Sequence, residues 1–252
     1  MKFFDCNSSF GASMNPPIKY AETAQELLKE MDYYGISEAL VHHSRQHDDS
    51  PDVGNAILLR EIEGIDRLHG TFAILPTHTG ELGTVETLLN NMKEKNVRSF
   101  WAFPAEHKYL MSRTALADLY DIMVERNIPL FISINESSGV SGWHLVDKIL
   151  SDAPQLTLAV TEHGSWGHDR FFRPLIEKYE NLYLEISRYE LDGGIRDFVR
   201  KYGADRLLFG TGFPNWNPGG PILTLTQADI TNKEMEMIAS GNLERILGRV
   251  RL

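Results

Sequence analysis

The feature that most constrains this chain is a repeated alternation of short apolar runs with longer amphipathic stretches. Eight apolar runs of four to seven residues, several rich in Val, Ile and Phe, are typical of strands buried on both faces. They cover residues 2–6, 38–42, 70–75, 97–103, 128–134, 156–161, 182–186 and 206–209. Stretches with helical spacing of apolar residues lie between them, as in 23–34. Strands that alternate with helices indicate a parallel α/β sheet.

Eight β–α units in a chain of 252 residues match the size of a TIM barrel, and an open doubly wound sheet is the alternative. No GxGxxG or GxxxxGK[ST] motif follows an early strand, which disfavours the common nucleotide-binding forms of the open sheet. We therefore predict a distorted (β/α)8 TIM barrel formed by a single domain over residues 1–252. A capping-box pattern at Thr231 and Glu234 predicts the start of a helix near the C-terminus.

The charge and the cysteine content limit the classes of binding partner and the cellular compartment that we expect. The formal net charge is −10, from 25 Lys and Arg against 35 Asp and Glu, which argues against general binding to nucleic acid or an anionic membrane. The single cysteine, Cys6, rules out an intrachain disulfide and fits a reducing compartment. We expect a cytoplasmic protein with a small-molecule ligand and no nucleic-acid or membrane partner, and we leave open a homo-oligomer.

The predicted strands end in polar segments rich in His and Gly, such as 5–9, 42–44, 162–164 and 210–214. In a barrel of this kind, catalytic residues lie at the carboxyl ends of the strands. These segments therefore contain the candidate functional residues.

Four further segments carry a resemblance to a known family. They are a turn from helix to strand at 31–36, the approach to strand five at 119–130, the last strand at 205–211 and a closing helix at 242–247. In this order and spacing, the chain resembles the amidohydrolase-related branch of the amidohydrolase superfamily, predicted metal-dependent hydrolases with a TIM-barrel fold. The resemblance implies hydrolase chemistry at the barrel mouth.

The resemblance also implies a metal site, and the chain departs from it. The family's first strand ends Asp-x-His-x-His, strands five and six each offer a His, and strand eight offers an Asp that acts as general base. Here the first Asp is kept as Asp5, and the other five positions hold Asn7, Ser9, Ser133, Glu162 and Gly212. Divalent metals need several His, Cys or carboxylate ligands at one point. We therefore predict a degenerate site without metal or other cofactor. The alternative is a divalent metal site rebuilt from His43, His78, His163 and Glu162.

Two residues are the candidate catalytic groups. The family resemblance implies that Glu162 points into the barrel mouth, where a carboxylate can act as general base or acid. A structural ion pair is the competing interpretation. His163 lies one position further along, so we expect it to point away from Glu162 and to act from a loop.

We expect a small polar substrate that carries a carboxylate. Arg188 is the candidate clamp, because its planar guanidinium pairs with carboxylates, although an ordinary salt bridge is an equal alternative. Strand alternation places Glu185 in the barrel interior, where a structural role competes with ligand contact. The candidate substrate-binding residues are Asp5, Asn7, His43, His78, Trp101, Asn135, Glu185 and Arg188.

Alternation along the first strand predicts that Asp5, Asn7 and Ser9 share one orientation and that Cys6 faces the helix layer, which disfavours Cys6 as a nucleophile. The polar loop at 135–139 is either a ligand contact or a plain surface loop. A set of aromatic residues after the strand ends is either a pocket wall or core packing at the rim: Trp101, Phe103, Trp143, Trp166, Phe213 and Trp216.

Two hypotheses for function follow. The first is a divergent amidohydrolase-like hydrolase that works without the usual metal centre. The second is a catalytically inactive barrel that binds a small molecule or a protein partner.

Overall fold

The computed structural model describes residues 1–136, 140–164 and 167–252. Its strands are β1 (Phe4–Phe10), β2 (Glu38–His43), β3 (Leu68–Gly70), β4 (Phe72–Ala73), β5 (Phe100–Ala102), β6 (Leu130–Ser133), β7 (Leu158–Thr161), β8 (Leu182–Glu185) and β9 (Leu207–Leu208). Each of the eight predicted apolar runs overlaps a strand, although β1 continues four residues beyond the predicted run 2–6. The third run differs in its bounds, because the observed strand begins earlier and is split into β3 and β4.

The strands close into a parallel barrel. One sheet has the order β1-β2-β3 and the other runs from β4 to β9 in sequence order. Between β3 and β4 the chain changes partner, since the Thr71 N–H donates to Val41 on β2 and the Phe72 N–H donates to Ser99 beside β5. The Cys6 N–H donates to the Phe209 carbonyl at 2.9 Å, which joins β1 to the chain after β9. These contacts confirm the predicted (β/α)8 barrel.

Helices follow the strands and cover the barrel. They are α1 (Ala24–Tyr34), α2 (Ser44–Asp48), α3 (Pro51–Glu61), α4 (Val85–Lys95), α5 (Pro104–His107), α6 (Arg113–Arg126), α7 (Val140–Asp152), α8 (Asp169–Lys178), α9 (Gly194–Tyr202), α10 (Gly219–Thr226), α11 (Asn232–Glu236) and α12 (Asn242–Gly248). The Thr231–Glu234 capping box is confirmed at the start of α11. Three short helices, α2, α5 and α10, are absent from the sequence prediction. No helix in the described ranges is long and apolar enough to span a bilayer.

The barrel interior is apolar toward the amino ends of the strands. Its packed side chains come from alternate strand positions and from α12, namely Phe4, Cys6, Leu40, Ala73, Trp101, Phe103, Phe131, Ala159, Tyr183, Leu208, Leu243, Ile246 and Leu247. Helix α12 lies at the amino end, because Lys2, just before β1, contacts Glu244 at 2.8 Å. Burial of each large aliphatic side chain contributes roughly 1.5–3 kcal/mol. This filling leaves the carboxyl ends of the strands as the place for a site.

A β-bulge in β1 changes which side chains face the interior. Asp5 pairs with Ala39 and Ser8 with Val41, so β1 has one more residue than β2 between these pairs. As a result, Cys6 lies in the interior cluster and Asn7 also reaches the mouth. The predicted orientation of Cys6 toward the helix layer is therefore wrong, and Asp5 does not share the orientation of Asn7.

Candidate active site

A cavity of about 420 Å³ opens at the carboxyl ends of the strands. Residues at the ends of β1, β2, β5, β6 and β7 contribute to it, together with the chain that follows β9. Its polar lining consists of Asn7, Ser9, Ser13, Asn15, Tyr20, His42, Ser44, His47, Asp48, Ser133, Asn135, Glu136, Glu162 and Asn215. Among the candidate catalytic and substrate-binding residues predicted from sequence, the cavity brings together Asn7, Trp101, Asn135 and Glu162.

Glu162 is held at the rim directly after β7. Its backbone has a φ of 58°, a left-handed conformation that costs a non-glycine residue about 1–3 kcal/mol. Its carboxylate Oε2 accepts hydrogen bonds from Ser133 Oγ at 2.7 Å and from Asn135 Nδ2 at 3.2 Å. No hydrogen bond to Oε1 is found within the described ranges. This arrangement fixes the Glu162 carboxylate at the cavity, with Oε1 free of hydrogen bonds from the described residues.

Glu185 lies beneath Glu162 and is fully buried at the end of β8. Its Oε2 accepts from the Glu162 N–H at 3.1 Å, from Ser187 Oγ at 2.8 Å and from Asn7 Nδ2 at 3.4 Å. Burial raises the pKa of Glu185 to about 7. A Cβ on Gly210 would collide with the Glu185 side chain, so a glycine is needed there. Glu185 does not line the cavity; it positions two residues that do.

On β2, the cavity residue is His42 rather than the predicted His43. Leu40 and His42 face the barrel interior, whereas His43 packs at 5.1 Å against Phe10 on the helix side, and its Nδ1 accepts the Arg45 N–H. The His42 ring lies 4.6 Å from the ring of Trp101. Burial lowers the pKa of His42 to about 3, which keeps the imidazole neutral at physiological pH. Side chains alternate between the two faces of a strand, so His42 shares the face of the apolar Leu40 and His43 does not. This alternation is the sequence signal that distinguishes the two histidines.

Helix α2 contributes His47 and Asp48, which sequence reasoning missed. The buried Gln46 anchors this helix, since its Nε2 donates to Asn55 Oδ1 at 2.6 Å and to the Thr71 carbonyl at 2.8 Å. His47 Nδ1 lies 2.7 Å from Asp48 Oδ1. The side chain of a histidine, His43, caps α2, and this residue is not among the usual helix-start signals.

Glu136 is the second carboxylate at the rim that was not singled out from sequence. It belongs to the predicted polar loop, of which residues 137–139 lie outside the described ranges. Its Oε2 accepts the Ala105 N–H at 3.1 Å. Burial, reinforced by the nearby Glu162 carboxylate, raises the pKa of Glu136 to about 6. Glu136 therefore exchanges a proton close to neutral pH.

Several predicted residues lie away from the cavity. His163 is buried among Trp143, Phe172 and Tyr189, on the far side of β7 from Glu162 as expected, and burial lowers its pKa to about 4. His78 is exposed on a short 3-10 turn after β4. The functional roles proposed for both residues stay predictions without support from their placement.

Asp5 and Arg188 also lie outside the cavity lining. Asp5 is fully buried, and its carboxylate accepts the Thr211 N–H at 2.9 Å and the Ser8 hydroxyl at 2.5 Å. The Arg188 guanidinium stacks on the Trp216 ring at 3.8 Å. Neither contact places the side chain against a ligand in the cavity.

Some of the aromatic residues predicted to form a pocket wall line the cavity, and others lie elsewhere. Trp101, Phe103 and Phe213 line the cavity, whereas Trp143 packs between His163 and Phe172. Trp166 lies outside the described ranges. The Trp216 ring covers Gly212, where an added Cβ would lie 2.5 Å from Trp216 Cδ1.

A family model described as amidohydrolase matches residues 10–249, nearly the whole chain. The chain belongs to the amidohydrolase family. No curated protein matches it.

Three solved structures similar to this amidohydrolase-family chain are distant from it in sequence. An uncharacterized TIM-barrel protein from Bordetella bronchiseptica is 22% identical with a TM-score of 0.76, over 99% of each chain. A probable 2-pyrone-4,6-dicarboxylic acid hydrolase from Acinetobacter baumannii is 12% identical with a TM-score of 0.73, over 98% of this chain and 100% of the other. A dihydroxybenzoic acid decarboxylase from a Polaromonas species, with bound manganese, is 14% identical with a TM-score of 0.73, over 100% of this chain and 98% of the other. They support the TIM-barrel fold.

The residues of this amidohydrolase-family chain do not fit a metal such as the manganese of the Polaromonas protein. Within the described ranges, no group of three His, Cys, Asp or Glu side chains is placed to hold a metal ion. The proposed rebuilt ligands do not converge, because His43 faces the helix side, His78 is exposed and His163 is buried behind β7. Asn, Ser and Gly at the family's positions are poor ligands for such ions. The expectation of no cofactor stays a prediction.

Proposed function

We propose that this barrel is a hydrolase that acts on a small polar substrate by acid–base chemistry without the family's metal centre. The observation that carries the proposal is the Glu162 carboxylate, which lines the cavity with Oε2 held by Ser133 and Asn135. Fixed geometry of this kind is what a general base requires, because the proton must be within hydrogen-bond reach.

Glu162 is the base in this proposal. Its Oε1 takes a proton from a water molecule, and the remaining hydroxide adds to the electrophilic carbon of the substrate. Glu136 is the acid, since a pKa of about 6 keeps part of this carboxyl protonated near neutral pH. Its proton goes to the leaving group as the substrate bond breaks. Glu185 is a positioning residue, because it holds the Glu162 backbone and the Asn7 amide.

A substrate carboxylate is not part of this proposal. Arg188, the clamp expected from sequence, stacks on Trp216 instead of lining the cavity. The expectation of a carboxylate on the substrate stays a prediction.

A second candidate is a binding protein without catalysis. The observation in its favour is the Trp216 ring, which covers Gly212 at the position where family members carry the general-base Asp. A barrel that has exchanged its base for an aromatic cover can keep the cavity as a ligand site alone.

The test is a hydrolase screen over small amides, esters and lactones, run with and without chelator on the wild type, Glu162→Gln and Glu94→Gln. Glu94 is an exposed residue of α4 that matches the charge change away from the cavity. We expect a loss of about 100-fold or more in kcat/KM for E162Q, the typical contribution of general base catalysis, and no change for E94Q or with chelator.

Turnover that survives in E162Q, or that the chelator abolishes, contradicts the proposal. Ligands that stabilise the wild type against thermal unfolding without being hydrolysed favour the binding protein instead.

A further inference from the structure

The charged side chains of the cavity are all of one sign. Its described lining includes Asp48, Glu136 and Glu162 and contains no Lys or Arg. The residues outside the described ranges, 137–139 and 165–166, are Ser, Ser, Gly, Ser and Trp, so their side chains bring no positive charge. The field in the cavity therefore favours positive charge.

Two of these carboxylates are held by neutral donors. The described partners of Glu162 are the Ser133 hydroxyl and the Asn135 amide, and that of Glu136 is the Ala105 N–H. Neutral donors fix the carboxylates without cancelling their charge. Asp48 has a different kind of partner, because its Oδ1 lies 2.7 Å from the His47 imidazole Nδ1. Glu162, and Glu136 in its ionised form, are thus the two rim carboxylates that can pair with a cationic ligand.

An aromatic wall lies in the same cavity. The rings of Trp101 and Phe103 are stacked with their centroids 6.2 Å apart, and the His42 ring packs against both. Trp101 is only 2% exposed, and its indole N–H has no hydrogen-bond partner among the described residues. Phe131 also stacks on Trp101, at 5.6 Å, so the two rings present little surface to the cavity and offer apolar contact for a ligand rather than an open face for a cation.

We propose that the cavity selects organic cations, with an amidinium or guanidinium group at Glu136 and Glu162 and the apolar part of the ligand against Trp101 and Phe103. The inference rests on the proposed function, for which it names the substrate class. The planar amidinium or guanidinium suits two carboxylates because it presents several N–H donors in a fixed plane.

The test is calorimetric titration of the full chain with benzamidinium, benzamide and benzoate. These probes share one ring and nearly one shape, and their charges are +1, 0 and −1. We expect benzamidinium to bind about tenfold or more tightly than benzamide, and benzoate to bind more weakly than benzamide. Glu136→Gln and Glu162→Gln are each expected to weaken benzamidinium binding by about fivefold or more and to leave benzamide binding unchanged. Glu94→Gln is expected to change neither.

Equal affinity for the three probes, tightest binding of benzoate, or no binding of benzamidinium at about 10 mM would overturn the inference. Circular dichroism of each variant separates loss of a contact from loss of the fold. Turnover that depends on Glu162 without preference for the cation contradicts the inference and keeps the proposed function. Preference for the cation without turnover contradicts the proposed function and keeps the inference.

Discussion

Two neighbouring networks of buried or partly buried carboxylates lie at the carboxyl ends of the strands, linked by Asn7, and they differ in what their carboxylate oxygens contact. In the seam network, formed by Asp5, Ser8 and Thr211, both oxygens of Asp5 are occupied by donors of the protein. In the rim network, formed by Ser133, Asn135, Glu162 and Glu185, the described donors to the Glu162 carboxylate reach Oε2, and Oε1 has no hydrogen-bond partner among the described residues. The comparison teaches that a carboxylate at a strand end is available for chemistry only where the protein leaves an oxygen unpaired.

Breaking the seam network is expected to have the largest effect on stability. Asp5→Ala removes the acceptor of four donors, the N–H groups of Asn7 and Thr211 and the hydroxyls of Ser8 and Thr211, in a fully buried site. We expect the free energy of unfolding in urea to fall by about 3–5 kcal/mol. Asp5→Asn keeps one acceptor oxygen and is expected to lose less. Benzamidinium affinity of the folded protein should stay at the wild-type value in both variants.

A folded D5N protein that no longer binds the probe would instead place Asp5 in the ligand site, as the sequence predicts. Measurement of affinity and stability on the same sample separates the two roles.

The rim network can be tested through the pH dependence of the stability that Glu185 contributes. Burial raises the folded-state pKa of Glu185 to about 7, above the ordinary value of 4.5 expected in the unfolded chain. The folded state thus binds more protons between these values, and the stability that protonated Glu185 contributes is lost as the pH rises from 4.5 through 7. For one group, this loss is roughly 3 kcal/mol.

Urea unfolding at pH 4.5 and pH 8 of the wild type and of Glu185→Gln measures this contribution. The Gln variant has no proton to lose, so the difference in stability between wild type and variant should change by roughly 3 kcal/mol across the window. Titration of the remaining groups cancels in this double difference. A difference that is the same at both pH values would show that Glu185 is ionised throughout.

The barrel itself could be predicted from the sequence, because both faces of its strands are buried and each strand is a short continuous apolar run. The orientation of Asp5 and Cys6 could not, since the bulge adds one residue to β1 without a glycine or proline to mark it. Helix α2 was missed because His43 caps it, and its position in turn determines where His47 lies.

The placement of Glu162 in the mouth came from the family resemblance and agrees with the cavity. The hydrogen bonds around Glu162 could not be predicted in the same way, because Ser133, Asn135 and Glu185 contact Glu162 only once three strands lie side by side. Contacts between strands depend on register, which single-strand patterns do not contain.

The smallest expected effect tests how the rim network holds Glu162. Ser133→Ala removes the 2.7 Å hydrogen bond to Oε2 and the acceptor of the Asn135 N–H at 3.1 Å, and it leaves the 3.2 Å bond from Asn135 Nδ2 to Oε2. Since one hydrogen bond contributes about 1 kcal/mol, we expect the free energy of unfolding to fall by about 1–2 kcal/mol for the two bonds. The lost bond to Glu162 is expected to lower kcat/KM or benzamidinium affinity about fivefold. Ser8→Ala is the matched control, because it removes one hydroxyl from Asp5 in the seam network and should lower stability alone. If S133A and S8A change affinity equally, the two networks do not differ in function, and the contacts of the Glu162 oxygens are not what distinguishes them.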